Sequence, residues 1–244
     1  MFYINNNLMA LAVIPGLVII VYVYAKDKVE KEPVALILKV MALGVVSCII
    51  AGYAESFAAM FLPSYPSGTF GYAFINAFAL AAFWEEILKY GALRIGSWKS
   101  SNFNYRFDGV VYGVSSAVGF AIYENIMYVA SYGFQTALVR AFTAVPLHAF
   151  CGVAMGIFYA YSKKAAILGQ RSRQTVFTIL SLVVPMLIHG IYDFLAFLGA
   201  TYILLIFVAI QYVVAIKAIK YLSAEDYRGG FYPKAREIVY STDL

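Results

Sequence analysis

Seven apolar runs, at approximately residues 8–25, 34–54, 70–93, 108–130, 138–161, 176–198 and 200–222, follow one another with only short polar gaps. Each is close to or above the ~20 residues that an α-helix needs to cross ~30 Å of hydrocarbon. A transmembrane strand would instead show ~10-residue segments whose polarity alternates with period two. The chain is therefore expected to be all-α: a polytopic transmembrane helical bundle of about seven spans. Composition agrees, since 63% of the residues are hydrophobic and 13% are charged, against roughly 25% charged in soluble domains. Residues 1–222 read as a single transmembrane domain and 223–244 as a short cytoplasmic tail, with no internal repeat or linker.

Charge sets the expected orientation. The first run is followed, not preceded, by Lys26, Lys28 and Lys31, the pattern of a retained anchor rather than a cleaved leader. Residues 55–69, 131–137 and 199–201 carry no Lys or Arg, whereas 94–107, 162–175 and the tail carry several each. The positive-inside rule then puts the amino terminus out and the carboxyl terminus in. The net charge of +5 is thus mostly cytoplasmic loop charge facing anionic lipid, and no nucleic-acid partner is expected. Cys48 and Cys151 fall inside apolar runs, where cysteine packs as a small hydrophobe, so neither a disulfide nor a thiolate nucleophile is expected.

Ionisable residues well inside these runs include Glu85, Glu86 and Lys89 in the third, Glu124 in the fourth, His148 in the fifth, His189 and Asp193 in the sixth. A charge at the bilayer centre costs ~2.5–3.5 kcal/mol even on the lenient insertion scale, so these groups need a protein-lined or watery surrounding. They include both histidines of the chain. Their coincidence with carboxylates in successive spans points to one shared site.

Helical spacing sharpens that expectation. Lys89 lies four residues from Glu85 and three from Glu86, on one face, where it can neutralise either carboxylate. Asp193 follows His189 by four, which suits a carboxylate orienting an imidazole through its second nitrogen. Glu124 is flanked at four residues by Phe120 and Tyr128. His148 shares its face with Gly152 and Gly156, a small-residue stripe that lets another helix approach closely. Counted from the outer span ends, Glu124, His148 and His189 lie ~10–15 Å deep, with Glu85 deeper.

Simpler readings exist for the same residues. Glu85 and Lys89 could be a structural ion pair, and an intramembrane histidine can be packing glue through one interhelical hydrogen bond. Asp108, in "FDGV", reads as a helix cap. Arg140, the single basic residue near the outer side, suits either an interfacial snorkelling role or a counter-charge at the mouth of a site.

The ordered motifs "EEILK", "FAIYEN", a lone histidine in the fifth span and "HGIYD" together resemble the PrsW family of intramembrane proteases, which groups with the CAAX prenyl proteases and bacteriocin-processing enzymes. The similarity runs from about Phe70 to Phe197, and "YAKDKVEKEP" upstream is similar too. The resemblance implies a membrane protease of seven or eight helices in a bacterial or archaeal plasma membrane, cutting a single-pass anti-sigma factor on its outward side. Its catalytic set would be Glu85, Glu86, Glu124, His148, His189 and Asp193, supported by Lys89, Asn125 and Arg140. The prenyl proteases carry Asn where Asp193 stands and His where Glu124 stands, so the division of roles stays open.

Peptide hydrolysis needs an activated water, a stabilised oxyanion and a protonated leaving amine. No serine or cysteine is paired with a base, so covalent catalysis fits poorly. In the preferred reading no cofactor is required: Glu85 is the general base, Glu86 and Lys89 hold its charge state, and His148 and His189 bind the oxyanion. In the alternative, His148, His189 and Glu124 ligate zinc and Glu85 deprotonates its water, although no HExxH helix is present. The partners expected are a single-pass membrane protein substrate and membrane lipid; the oligomeric state is not legible. A proton- or ion-coupled transporter would also bury such groups, but no repeated halves or broken helices mark one. A retinal protein would need a lysine near the middle of the last span, where Lys217 and Lys220 sit at its end. A lipid hydrolase acting on headgroups would use the same residue types.

Overall fold

The computed structural model describes residues 6–226 and 229–231. Their regular structure is helical: α1 (Asn6–Lys26), α2 (Val34–Ala59), α3 (Phe70–Phe74), a π-helical segment (Ile75–Ala82), α4 (Phe83–Ser97), α5 (Arg106–Tyr132), α6 (Phe134–Phe142), α7 (Ala144–Ile167), α8 (Arg171–Phe197) and α9 (Thr201–Glu225). Among the described residues, six helical stretches are long and apolar enough to cross a membrane. The rod formed end to end by α3, the π-helical segment and α4 is the third run of the sequence and supplies the seventh. It extends to Ser97, past the expected end at 93, and α2 runs on to Ala59, past 54.

Exposure is inverted relative to a water-soluble bundle. On α1 and α9, Ile14, Val18, Val21, Ile203, Ile206 and Ile210 all face outward. Acyl chains match such a surface, whereas water would not. The polar side chains turn inward instead.

Helices α5 and α7 form the central pair, and the fit between them is set by glycine. A Cβ at Gly156 would come 2.2 Å from the Gly109 carbonyl oxygen, and one at Gly113 would come 2.4 Å from that of Gly152. The small-residue stripe is thus a backbone-to-backbone seam, and its partner is α5. His148 lies one turn from Gly152, so the seam that locks α7 also fixes the height of the imidazole. Around the seam, Val110, Val114 and Val118 of α5 pack with Ile20, Ile37, Val153 and Ile219 from four other helices.

The two ends of the bundle differ in chemistry. At the basic end, Asp108 accepts the backbone amides of Asn104 (2.8 Å) and Tyr105 (2.6 Å). This is the expected capping role, filled from the third residue of α5. Asp226 accepts the amides of Arg106 (3.2 Å) and Phe107 (2.9 Å). The first amides of a helix have no internal partners, so α5 is closed partly by the residue that follows α9. Glu32 accepts from the Tyr112 hydroxyl, and its amide donates to Asp27 (3.1 Å). Phe231 packs edge-on against Phe103 at 5.7 Å between ring centroids. The tail expected from residue 223 therefore begins as helix and docks; positions 232–244 lie outside the described residues.

At the other end the turns carry no charge, and α8 passes to α9 through Gly199, whose φ of +68° lies in the left-handed region that favours glycine. Of the two cysteines, Cys151 is buried with its thiol near the Pro185 carbonyl (3.6 Å) and Cys48 is half-buried; both are free.

Candidate active site

Glu85 and Glu86 sit in the first turn of α4, directly after eight π-helical residues. A π-helix bonds i→i+5 and is favoured only where something compensates for it, often at a functional site. More residues per turn also means less climb per residue, which reduces the extra depth that a plain count gives Glu85. Phe78 of this segment lies flat on Gly190 of α8: a Cβ there would be 2.3 Å from the Phe78 ring. The missing side chain next to His189 thus lets the third rod approach α8.

Lys89 is at the middle of the cluster, with no exposure. Its Nζ donates to Glu85 Oε2 (3.0 Å), Glu86 Oε1 (2.8 Å) and His148 Nδ1 (3.0 Å). It also lies 4.0 Å from the centroid of the Phe120 ring, whose π face attracts cations. Three acceptors use the three ammonium protons. The lysine was expected to neutralise either glutamate, and it holds both.

The histidines are held in different ways. An ammonium donates but never accepts, so His148 Nδ1 must offer its lone pair to Lys89, and its Nε2–H donates to Glu124 Oε2 (2.8 Å). His189 instead presents Nδ1 to Glu86 Oε1 (2.8 Å) and Nε2 to Asp193 Oδ2 (3.2 Å). Both N–H donors of an imidazolium satisfy that arrangement, and the four-residue spacing to Asp193 works as expected. The two rings meet edge to face at 5.1 Å.

Glu124 closes the network. Its Oε2 accepts from Arg140 Nη2 (2.6 Å), and Arg140 Nε donates to Asn125 Oδ1 (2.9 Å). Asn125 in turn donates to the Ala12 carbonyl (3.1 Å), tying the site to α1. Arg140 stacks on Tyr128, 3.9 Å from the ring centroid. Arg140 is thus the counter-charge of Glu124.

These groups share a cavity of about 570 Å³, with Glu85, Glu124, His148, His189 and Asp193 on its wall. A second cavity, of about 450 Å³, lies between α7 and α8 beside Lys164 and Arg173; no carboxylate or imidazole lines it, so hydrolytic chemistry does not belong there. One wall residue was missed by sequence reasoning. Glu55 lies on α2 in the acidic cavity, whereas the boundary drawn at 54 had left it in a loop. An acidic residue within reach of the end of an apolar run was the available signal.

Donor atoms of Glu85, Glu86, His148 and His189 all lie within 4.8 Å of one another. Glu86 Oε2 is buried with no hydrogen-bond partner among the described residues, an orphaned acceptor of a kind that ordinarily costs about 1–3 kcal/mol, and more when charged. Two imidazoles and two carboxylates are a zinc-type donor set. Glu124 behind His148 and Asp193 behind His189 are the second-shell carboxylates that orient ligating histidines. The residues fit a divalent cation once Lys89 releases Glu85, Glu86 and His148 Nδ1, the three acceptors it holds, and His189 gives up one of its two ring protons. The set departs from the expected His148, His189 and Glu124: Glu124 is spent on Arg140 and on the far nitrogen of His148, and the two α4 glutamates stand in its place.

A family model described as PrsW family intramembrane metalloprotease matches residues 32–219. The Protease PrsW of Bacillus subtilis (strain 168) is 38% identical over 183 residues, covering 74% of this chain and 78% of that protein. The Protease PrsW of Oceanobacillus iheyensis is 30% identical over 218 residues, covering 88% and 95%. That of Clostridioides difficile (strain 630) is 27% identical over 225 residues, covering 91% of each. No solved structure matches the chain.

Proposed function

The chain belongs to the PrsW family of intramembrane proteases, a multi-pass bacterial membrane peptidase, and from that premise we propose that it cuts a single-pass membrane protein, such as an anti-sigma factor, at the acidic cavity. The observation that carries this reading is the meeting of Glu85, Glu86 and Lys89 from one rod with His148 and His189 from two others. The distribution of Lys and Arg supports an outward-facing cavity, with the amino terminus out.

Glu85 is the general base. It lines the cavity and bonds Lys89 through Oε2 alone, which leaves its second oxygen for a water. Lys89 holds it from behind and bonds Glu86 as well. The proton taken from water passes to the leaving amine, and His189, clamped between Glu86 and Asp193, is placed to steady that transfer. All four ring nitrogens of the two histidines are engaged, so oxyanion binding by either ring requires an exchange of partners. Arg140 Nη1 bonds no described residue, and we assign it the first share of the oxyanion charge.

Glu85, Glu86, His148 and His189 are the residues that would hold a zinc ion, whose contribution when bound is a polarised carbonyl and an acidified water. The preferred reading assigns catalysis to the glutamates, and the family's description favours the metal. Metal analysis of the purified protein separates them. One zinc per chain, lost together with activity on chelation and restored with it, would establish the metal reading; full activity without bound metal would establish the other. Either way, cleavage of a single-pass substrate in proteoliposomes must fall sharply in Glu85→Gln and His189→Ala. Equal cleavage by both variants and wild type would remove the assignment.

A peptide bond within a helix is shielded by its own hydrogen bonds, so the substrate must present an unwound stretch. The cavity has α2 on one side and the π-helical segment, α5, α7 and α8 on others. A segment unwound at the uncharged end of the bundle reaches it without crossing the core.

A further inference from the structure

Glu55 is the one acid of the cavity wall to which no described residue donates. Glu85 has Lys89, Glu124 has Arg140 and His148, and Asp193 has His189. Glu55 lies on α2, half-buried, four residues from the helix end at Ala59 and ~6 Å below it by helical rise. Among the described residues no further basic group is available at this end: residues 55–69, 131–137 and 199–201 carry no Lys or Arg, and Arg140 bonds Glu124 and Asn125. An unpaired carboxylate at this depth is costly to hold, so a cation supplied from elsewhere would gain the full benefit of pairing with it.

We propose that Glu55 is a specificity residue that binds a lysine or arginine side chain of the substrate segment occupying the cavity. The inference rests on the reading that peptide cleavage takes place there. Lys and Arg flank transmembrane segments less often on the outer side than on the cytoplasmic side, so one placed there is a distinguishing mark, and its long stem lets the charged head reach inward while its backbone stays near the surface. The partner is thus an extended peptide with one cationic side chain. Glu55 sets which residue lies opposite α2, and the Glu85 and His189 cluster performs the cut.

The test uses full-length protein in proteoliposomes and a single-pass substrate with one Lys, Gln or Glu placed in turn at each position flanking the cut. At one position, wild type should cleave the Lys substrate faster than the Gln substrate by about tenfold, the ratio that ~1.4 kcal/mol of pairing supplies. Glu55→Gln should bring the two to parity. Glu55→Lys should shift the preference to the Glu substrate, a swap that general damage to the fold cannot produce. Indifference of the wild type at every position would overturn the proposal even if both variants failed to fold, as would a Lys preference that survives Glu55→Gln. Glu85→Gln serves as the separate arm: it should abolish cleavage of all three substrates alike, and its failure to do so would sink the catalytic reading without touching the preference measured for Glu55.

Discussion

Lys89 Nζ lies 3.0 Å from His148 Nδ1, so an ammonium on α4 fixes which nitrogen of an imidazole on α7 can accept. That contact joins the acidic half of the site to the Glu124 and Arg140 half. It also holds the lysine at the crossing of three acceptors, with no water-exposed surface.

Removing this cation leaves the buried Glu86 with His189 as its one ionic partner and the buried Glu85 with none nearer than His189 at 3.8 Å. Lys89→Met is therefore expected to destabilise the protein by about 3–5 kcal/mol, the cost of an uncompensated buried charge. Lys89→Met combined with Glu86→Gln should recover part of that loss. Thermal unfolding in detergent checks both, and a double variant no more stable than Lys89→Met would contradict the pairing.

Asp193→Asn keeps the shape of the group behind His189 but removes its charge. With the ring still oriented by Glu86, the fold should survive and KM should change little. Turnover should fall about 10- to 100-fold, the usual effect of losing an outer-shell partner. Kinetics in proteoliposomes reads the split, and an unchanged kcat would detach Asp193 from the chemistry.

The α5–α7 seam makes a contrast between two glycines. Gly156→Val would drive a side chain into the Gly109 carbonyl, where a Cβ already comes within 2.2 Å, and should abolish the folded bundle. Gly91→Ala meets nothing within 4 Å and, in mid-helix, should stabilise by about 0.5–1 kcal/mol. Melting temperatures of the two variants decide the matter.

At the basic end, burial, with Asp27 and Glu30 nearby, raises the Glu32 carboxyl to about 7 against the opposing bond from Tyr112. Burial likewise raises Asp226 to about 6. Unfolded Asp and Glu titrate near ~4, so between ~4 and these values the folded chain holds protons that the unfolded chain has released. Their contribution is full below ~4 and is lost as pH rises through 6 to 7. Melting temperature should fall between pH 5 and pH 8, and Glu32→Gln with Asp226→Asn should flatten that slope. An unaltered slope would contradict the assignment.

Much of this arrangement was legible in the residues. Apolar run length revealed the spans, and the three- and four-residue spacings placed Lys89 against both glutamates and Asp193 against His189. The His148, Gly152 and Gly156 stripe announced a tight partner helix without saying which one. What stayed hidden depended on contacts between distant segments. A π-helix over Ile75–Ala82 leaves no mark in periodicity, because eight apolar residues suit an α-helix equally well. Spacing within one helix could not tell that Glu124 faces Arg140 rather than the Glu86 side of the cluster. Glu55 was lost to a boundary drawn five residues short.

The central claim is that Glu85 and His189 act as parts of one centre. A double-mutant cycle measures this directly: cleavage of a single-pass substrate by wild type, Glu85→Gln, His189→Ala and the double variant, all reconstituted and shown to be folded. Residues that work as a unit are strongly non-additive, so the double variant should be no slower than the worse single one. Losses that simply multiply would show two independent groups and would contradict the account.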